Sequence, residues 1–213
     1  MKSIKNEAAA HCPNHCEPFD VEYWSLVSAD QDPDLKSAIM GGELNLVQCP
    51  ECGTFFHHDG DLIYFDAPAE LLVFVFSEKD RPREAQLRER MQKDYELIKN
   101  TLLKPLHMDY PPICVFGLDA LKTLLQHEEV ESYESEAVAA AAAAMGMQVA
   151  RLKPSYARAN HFPLYVPAPA PSKTANDYAV AASKVLKSGL KSLLLRNFED
   201  RMSQEGALPP QVL

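Results

Sequence analysis

Two pairs of cysteines constrain this chain more than any other feature of its sequence. Cys12 and Cys16 lie in the stretch CPNHC, Cys49 and Cys52 lie in CPECG, and residues 17–48 separate the pairs. Zinc prefers four tetrahedral ligands, and soft thiolates suit it. A gap of two residues, as in CPECG, lets one turn direct both of its sulfurs at the same ion. We therefore predict that the four cysteines converge on a single structural zinc ion.

The two pairs differ in regularity. In CPECG, Pro50 stiffens the turn, and Gly53 permits a positive φ or a close approach of backbone to sulfur. In CPNHC, three residues separate Cys12 from Cys16, whereas two separate Cys12 from His15. The residues therefore leave two ligand sets open: four cysteines, or three cysteines with His15.

Other metal-binding or nucleophilic residue types are given structural interpretations. His11, His57 and His58 are expected to be surface or strand residues in a chain with seven histidines. Cys114 stands alone in the apolar stretch PPICVFG and is predicted to be a small buried hydrophobe. No nearby motif supplies Cys114 with a base, so we do not assign it as a nucleophile.

The N-terminal stretch and the length of the apolar stretches indicate where in the cell the protein is expected. The N-terminal stretch MKSIKNEAAAHCP contains lysines but lacks the apolar segment of a secretory signal. No stretch reaches the roughly 20 apolar residues that a membrane helix needs. We therefore expect no transmembrane segment and a cytoplasmic location, where thiols stay reduced and paired cysteines hold metal more often than they form disulfides.

The formal net charge of −9 is unevenly distributed. Residues 11–80 contain 2 lysines and arginines against 14 acidic residues, and residues 151–213 contain 9 against 4. Zinc bound by four thiolates would add negative charge to the acidic part. Affinity for nucleic acids depends mainly on Lys and Arg beside phosphates, so we expect no nucleic-acid partner.

Hydrophobic patterns in the first eighty residues favour strands with one short helix. Phe19 to Ser28 alternates and is rich in aromatic residues, which predicts a strand. Pro33 suits the first turn of a helix that Gly41 and Gly42 would end. The stretches ELNLVQC, TFFHH, DLIYFD and ELLVFVF read as further strands. We predict an α+β fold in which residues 10–80 form a small, antiparallel, zinc-ribbon-like sheet domain.

The rest of the chain is predicted to be mainly helical. Residues 81–150 contain an amphipathic helix (82–103, with Leu87, Met91, Tyr95 or Ile98, and Leu102 on one face), a short apolar strand, and two helices, of which the second is rich in alanine. Residues 151–172 are rich in proline and are expected to form an extended linker. Residues 173–205 are expected to form one amphipathic helix.

These motifs together resemble the CpXC domain, a bacterial and archaeal domain named for its paired Cys-Pro-x-Cys motifs. The resemblance covers about residues 10–80 and is carried by CPNHC, by the stretch from FDVEYW to CPECG, and by LIYFDAPAELLVFVF. The family pattern implies three of the cysteines, Cys12, Cys49 and Cys52. It also implies the stretch DPDLKSAIMGGELN, with its helix and glycines, and a tyrosine followed two residues later by an aspartate, here Tyr64 and Asp66. The first pair departs from the pattern, because His15 occupies the position of the second cysteine in a Cys-Pro-x-Cys motif and Cys16 follows one residue later. The family has no established biochemical function.

We interpret the chain as a zinc-binding structural module that mediates protein–protein contacts rather than as an enzyme. The partner would be another protein or a second copy, and apolar positions of the last predicted helix would dock on the chain's own helices or on a second subunit. The alternatives are a metal-assisted hydrolase and a CxxC thiol redox enzyme. Redox chemistry is less favoured because the residues after Cys52 predict a strand, and reactive cysteines of that class precede a helix.

Overall fold

The computed structural model describes residues 2–101, 109–169 and 174–205. The chain divides into two compact units, Met1–Gln126 and His127–Leu213. The helices and strands of the described residues are, in chain order, β1 (Ile4–Ala10), β2 (Phe19–Ser28), α1 (Pro33–Gly41), β3 (Leu46–Gln48), β4 (Phe55–His57), β5 (Leu62–Asp66), β6 (Leu71–Phe76), a 3-10 turn (Glu78–Arg83), α2 (Glu84–Asn100), β7 (Ile113–Phe116), α3 (Leu118–Ala144), β8 (Gln148–Arg151), α4 (Pro154–Asn160), β9 (Tyr165–Ala168), α5 (Ala175–Lys187) and α6 (Leu193–Gln204).

The first unit is built on a five-stranded sheet with the strand order β1-β2-β5-β6-β7. The pairs β1/β2 and β5/β6 are antiparallel, whereas β2/β5 and β6/β7 are parallel. The short strands β3 and β4 form a separate antiparallel hairpin. The α+β class is therefore confirmed. The antiparallel, zinc-ribbon-like sheet is not confirmed, because the main sheet is mixed.

Strand β6 is covered on both of its faces. Leu71, Val73 and Val75 pack on one face with residues of α1 and the start of α3. The alternate residues Leu72, Phe74 and Phe76 pack on the other face with α2. A strand covered on both faces reads as a continuous apolar run, as LLVFVF does. Parallel neighbours also need long connections, which α1 with the β3–β4 hairpin and α2 provide.

Several predicted elements are found where the sequence placed them. β2 covers Phe19–Ser28, and α1 begins at Pro33 and is ended by Gly42, whose φ is +75°. The buried residues of α2 are Leu87, Met91 and Tyr95, as its apolar face predicted. Strand β1 was not predicted, because IKNEAAA is mostly exposed and lacks an alternating apolar pattern. Only its pairing with β2 identifies it as a strand.

The division of the chain differs from the predicted one. β7 pairs with β6, and residues of α2 share a hydrophobic core with β6. These residues therefore belong with the first eighty rather than with a separate helical region that starts at residue 81. The two helices predicted around residues 118–144 form a single helix, α3.

The second unit also differs locally from the prediction. Residues 151–172 were predicted as an extended linker, but their described part contains α4 and β9, and β9 pairs with β8. The single helix predicted for residues 173–205 is two helices, α5 and α6. The chain turns at Gly189, whose φ is +102°, and Ser192 then caps α6 by accepting a hydrogen bond from Leu195 N–H at 2.9 Å.

Three parts of these predictions fall outside the described residues: the end of the first long helix (102–103), the end of the linker (170–172) and residue 173. Among the residues that the structure does describe, no helix is both long and apolar enough to cross a membrane.

Asn45 connects the β3–β4 hairpin to the main sheet. Its side-chain oxygen accepts a hydrogen bond from Trp24 N–H at 2.7 Å, and its side-chain nitrogen donates to Trp24 C=O at 3.0 Å. The Asn45 carbonyl also accepts a hydrogen bond from His58 N–H at 2.8 Å. One side chain thus takes the place of a neighbouring strand beside β2 and holds the base of the hairpin.

We expect Asn45→Gly to lower the free energy of unfolding of the first unit by about 1–3 kcal/mol, because it leaves two backbone groups of Trp24 without their partners. Glycine is chosen because Asn45 has a φ of +57°. Urea denaturation followed by circular dichroism measures the loss. The control is Asn100→Gly, which removes an amide that donates only to the Glu96 carbonyl of its own helix. An equal loss in both variants would contradict the connecting role.

Candidate metal centre

Each cysteine pair lies in the loop of a β-hairpin. Cys12 and Cys16 lie between β1 and β2, and Cys49 and Cys52 lie between β3 and β4. The hairpins belong to different sheets, so the two loops are held by different sets of backbone hydrogen bonds.

The four sulfur atoms form one cluster. All four Sγ atoms lie within 4.8 Å of one another, and those of Cys12 and Cys52 are 3.6 Å apart. A tetrahedral ion with Zn–S bonds of about 2.3 Å places its sulfurs about 3.8 Å apart, so the cluster has the size of such a site. A disulfide bond is about 2.05 Å long, and the cysteines are free thiols. The cluster could therefore hold a metal ion.

The β3–β4 loop is a tight turn closed by backbone hydrogen bonds. Gly53 N–H donates to Cys49 C=O at 2.9 Å, and Cys49 N–H donates to Thr54 C=O at 2.9 Å. Gly53 has a φ of +72°, and a side chain there would meet nothing closer than Gln48 Nε2 at 3.7 Å. Of the two roles that the sequence left open for Gly53, the structure shows the positive φ, and the position has room for a side chain.

The β1–β2 loop contains one extra residue, and the structure shows its use. His15 N–H donates to Cys12 C=O at 3.0 Å, and His15 has a φ of +59°. Because His15 occupies the turn itself, the chain brings Cys16 to the cluster one residue later. Of the two ligand sets that the sequence left open, the structure brings together the four cysteines, and His15 is not in the cluster.

Asn14 contacts the cluster although sequence reasoning did not single it out. Its backbone N–H donates to Cys12 Sγ at 3.4 Å, and its side-chain nitrogen donates to Cys52 Sγ at 3.5 Å and to Thr54 Oγ1 at 2.9 Å. Asn14 therefore joins the two loops directly and supplies N–H groups that stabilise thiolates. Asn14 could have been identified from its position inside the first cysteine turn, since backbone and amide N–H donors commonly surround metal-bound sulfurs.

The sulfurs differ in their exposure to solvent. Cys12 and Cys49 are buried, Cys16 is half-buried, and Cys52 is exposed. The rings of Phe19 on β2 and Phe56 on β4 meet edge to face with centroids 6.2 Å apart, which is a further contact between the two hairpins. The cluster therefore combines two buried cysteines with one exposed cysteine, Cys52.

The local electrostatics separate the four thiols. The Thr54 hydroxyl, the Thr54 backbone N–H and Asn14, in that order, lower the pKa of Cys52 to about 5. The neighbouring Cys52 sulfur, followed by burial, raises the pKa of Cys16. Burial is also the largest cause that raises the pKa of Cys12. Without a cation the cluster therefore keeps only part of its thiols ionised, and a bound cation would remove the remaining protons.

The other candidate residues have separate structural surroundings. His57 Nε2 lies 2.9 Å from the Gly42 carbonyl oxygen, and His58 packs against the Tyr23 ring at a centroid distance of 4.4 Å. Cys114 lies on β7, packs half-buried against the core on the α2 face, and has a pKa raised by burial. His11 is exposed and, like the other two histidines, lies outside the sulfur cluster.

We expect Cys52 to react with iodoacetamide faster than Cys16 at pH 6 in reduced, metal-free protein. A lowered pKa means that the thiolate is the major form above about pH 5, and the thiolate is the nucleophile. Peptide mass spectrometry at successive times gives the rate at each cysteine. Thr54→Val should slow alkylation at Cys52, whereas Thr123→Val, whose hydroxyl donates to the Asp119 carbonyl, should not. Equal rates at the two cysteines would contradict the assignment.

A family comparison agrees with this geometry. The family model described as "CpXC protein" matches residues 10–124, which is more than half of the 213-residue chain. The match extends beyond the predicted end near residue 80, through α2 and β7, and stops just before the end of the first unit at Gln126. No curated protein and no solved structure is significantly similar to the chain. The chain belongs to the CpXC family.

Proposed function

We propose that Cys12, Cys16, Cys49 and Cys52 bind one structural zinc ion, and that the zinc-stabilised unit serves as a protein-interaction module. The observation that carries the metal proposal is the convergence of four sulfurs from two hairpin loops to within 4.8 Å of one another. Residues 17–48 separate the two cysteine pairs along the chain, so this convergence is a property of the fold and not of a local turn.

The chemistry of the ligands favours zinc in a structural role. Four thiolates fill a tetrahedral coordination sphere, which is typical of structural zinc, whereas a catalytic zinc keeps one position for water. A hydrolase would need such an open position. Thiolates also suit copper(I) and iron–sulfur clusters, so measuring the metal content is the direct test.

The size of the β3–β4 hairpin supports a structural role for the ion. Its strands have three residues each, and an isolated hairpin of this kind has little stability in water. A metal ion shared with the β1–β2 loop would hold the hairpin in place. Metal binding would then contribute directly to the free energy of folding.

Exposed apolar side chains beside the centre support the interaction role. Phe55 and Leu46, both on the β3–β4 hairpin, are 62% and 43% exposed. A hairpin held at both its base and its loop would present these side chains with little loss of conformational freedom on binding. We propose that the module works in the cytoplasm, where the thiols remain reduced.

Thiol redox chemistry is the second candidate, because the exposed Cys52 has a lowered pKa and lies 3.6 Å from the Cys12 sulfur. Two observations favour metal binding over it. Cys52 precedes strand β4 and not the start of a helix, and two more sulfurs lie within the same cluster. A redox pair would need only two of the four cysteines.

We expect the purified protein to contain one zinc ion per chain and Cys52→Ser to lose it, because three sulfurs and a hydroxyl bind zinc far more weakly. Metal content is measured by plasma mass spectrometry, and the folding of the sheet by circular dichroism. Cys114→Ser and His15→Asn are the matched controls, and both should keep the metal. Zinc retained in Cys52→Ser, or metal-free wild-type protein whose thiols form a reversible disulfide, would overturn the zinc proposal.

Asn14→Ala should weaken zinc binding about 10- to 100-fold, because it removes the side-chain N–H donor to the Cys52 sulfur and the link to Thr54. Competition with a chromophoric chelator measures the affinity. Asn100→Ala removes a side chain of the same size whose amide bonds only to its own helix, so it should leave the affinity unchanged. An unchanged affinity in Asn14→Ala would show that Asn14 does not stabilise the bound thiolate.

A further inference from the structure

Strand β1 lies at the edge of the main sheet and pairs with β2 on one side only. It has seven residues, and Ile4, Lys5, Asn6 and Glu7 are all exposed. No other strand of the described residues pairs with its outer side. A long exposed edge of this kind can pair with another strand, and proteins usually protect it with charges, prolines or a covering segment.

The contacts of β2 define which backbone groups of β1 face outward. Both backbone groups of Trp24 bond to the Asn45 side chain, so they point away from β1. Trp24 lies opposite Lys5 in the β1/β2 register. Because the direction of backbone groups alternates along a strand, the N–H and C=O of Lys5, Glu7 and Ala9 point to the outer side.

The charges of these outward-facing residues are self-complementary. In an antiparallel pairing of two β1 strands centred on Asn6, Lys5 of each copy lies directly opposite Glu7 of the other. Both residues then use their outward backbone groups for hydrogen bonds, and their side chains lie on the same face of the joined sheet. Opposite charges directly across an antiparallel pair stabilise it.

The electrostatic surroundings of Glu7 favour this arrangement. Within the chain, Glu7 lies opposite Glu22 in the β1/β2 register, and like charges at this position are destabilising. Lys5 lies 3.1 Å from Glu22 and 5.0 Å above the Trp24 ring. A second copy would place another Lys5 on the open side of Glu7, where it offsets the repulsion.

We propose that β1 is a self-association surface and that its partner is a second copy of this chain. Two chains would pair β1 with β1 around a two-fold axis and join their five-stranded sheets edge to edge. The symmetry is consistent, because each Lys5–Glu7 contact occurs twice in the same interface. This inference deepens the proposed interaction function by naming its partner, and it relies on the β1 edge and not on the metal.

The experiment measures the mass of the full chain by sedimentation equilibrium. Protein concentrations of about 10–100 µM are used, since these are on the order of the dissociation constants of ordinary dimers. We expect a dimer for the wild type. Lys5→Glu and Glu7→Lys should each halve the mass, because like charges then face each other twice across the interface. An equimolar mixture of the two variants should restore the dimer, since the facing positions of the two different chains then carry opposite charges. Lys93→Glu, on the exposed surface of α2, is the control and should remain dimeric.

Each other outcome overturns the proposal: a monomeric wild type, single variants that remain dimeric, or a mixture that stays monomeric. Zinc content and circular dichroism are measured on every sample. A dimer without zinc would contradict the metal proposal alone, and a zinc-containing monomer would contradict the β1 interface alone. The two proposals therefore fail separately.

Discussion

The proximity of four sulfur atoms, supplied by two hairpins that belong to different sheets, is the constraint on which the candidate site depends. Thiolates at such distances repel one another. The pKa of Cys16 is raised first by the neighbouring Cys52 sulfur and then by burial, and the pKa of Cys12 is raised first by burial. Without a cation, protonation of part of the thiols relieves this repulsion, and a bound cation would relieve it with all four thiols ionised. Asn14 bridges the loops on the outer side, and Asn45 holds the base of the second hairpin to β2.

The five-stranded sheet supplies the support that these loops need. Its interior strand β6 is covered on both faces, by α1 and the start of α3 on one side and by α2 on the other. The connection from β2 to β5 is long because the two strands are parallel, and the β3–β4 hairpin lies within this connection. The mixed topology therefore creates the segment that brings the second cysteine pair to the first. The family match, residues 10–124, covers both cysteine pairs, the connection between β2 and β5, α2 and β7, and it begins at the last residue of β1.

The Asn45 side chain takes the place of a neighbouring strand beside β2, and the outer edge of β1 is left open. Asn45 satisfies the backbone of Trp24 on one side of β2. On the other side of β2, β1 forms backbone hydrogen bonds with β2. The backbone N–H and C=O groups on the outer side of β1 pair with no other strand of the described residues. Both features follow from the same alternation of backbone direction along a strand.

The sequence by itself determined the elements with strong local signals. The cysteine turns, the span of β2, the Pro33-to-Gly42 helix and the apolar face of α2 could all be read from spacing and turn chemistry. The tertiary structure decided what depends on distant residues: the parallel pairings, the strand β1, and the choice of Cys16 over His15 in the cluster. The physical reason is that strand direction, edge pairing and the choice between Cys16 and His15 depend on contacts between residues far apart in the chain, which periodicity along one segment does not encode.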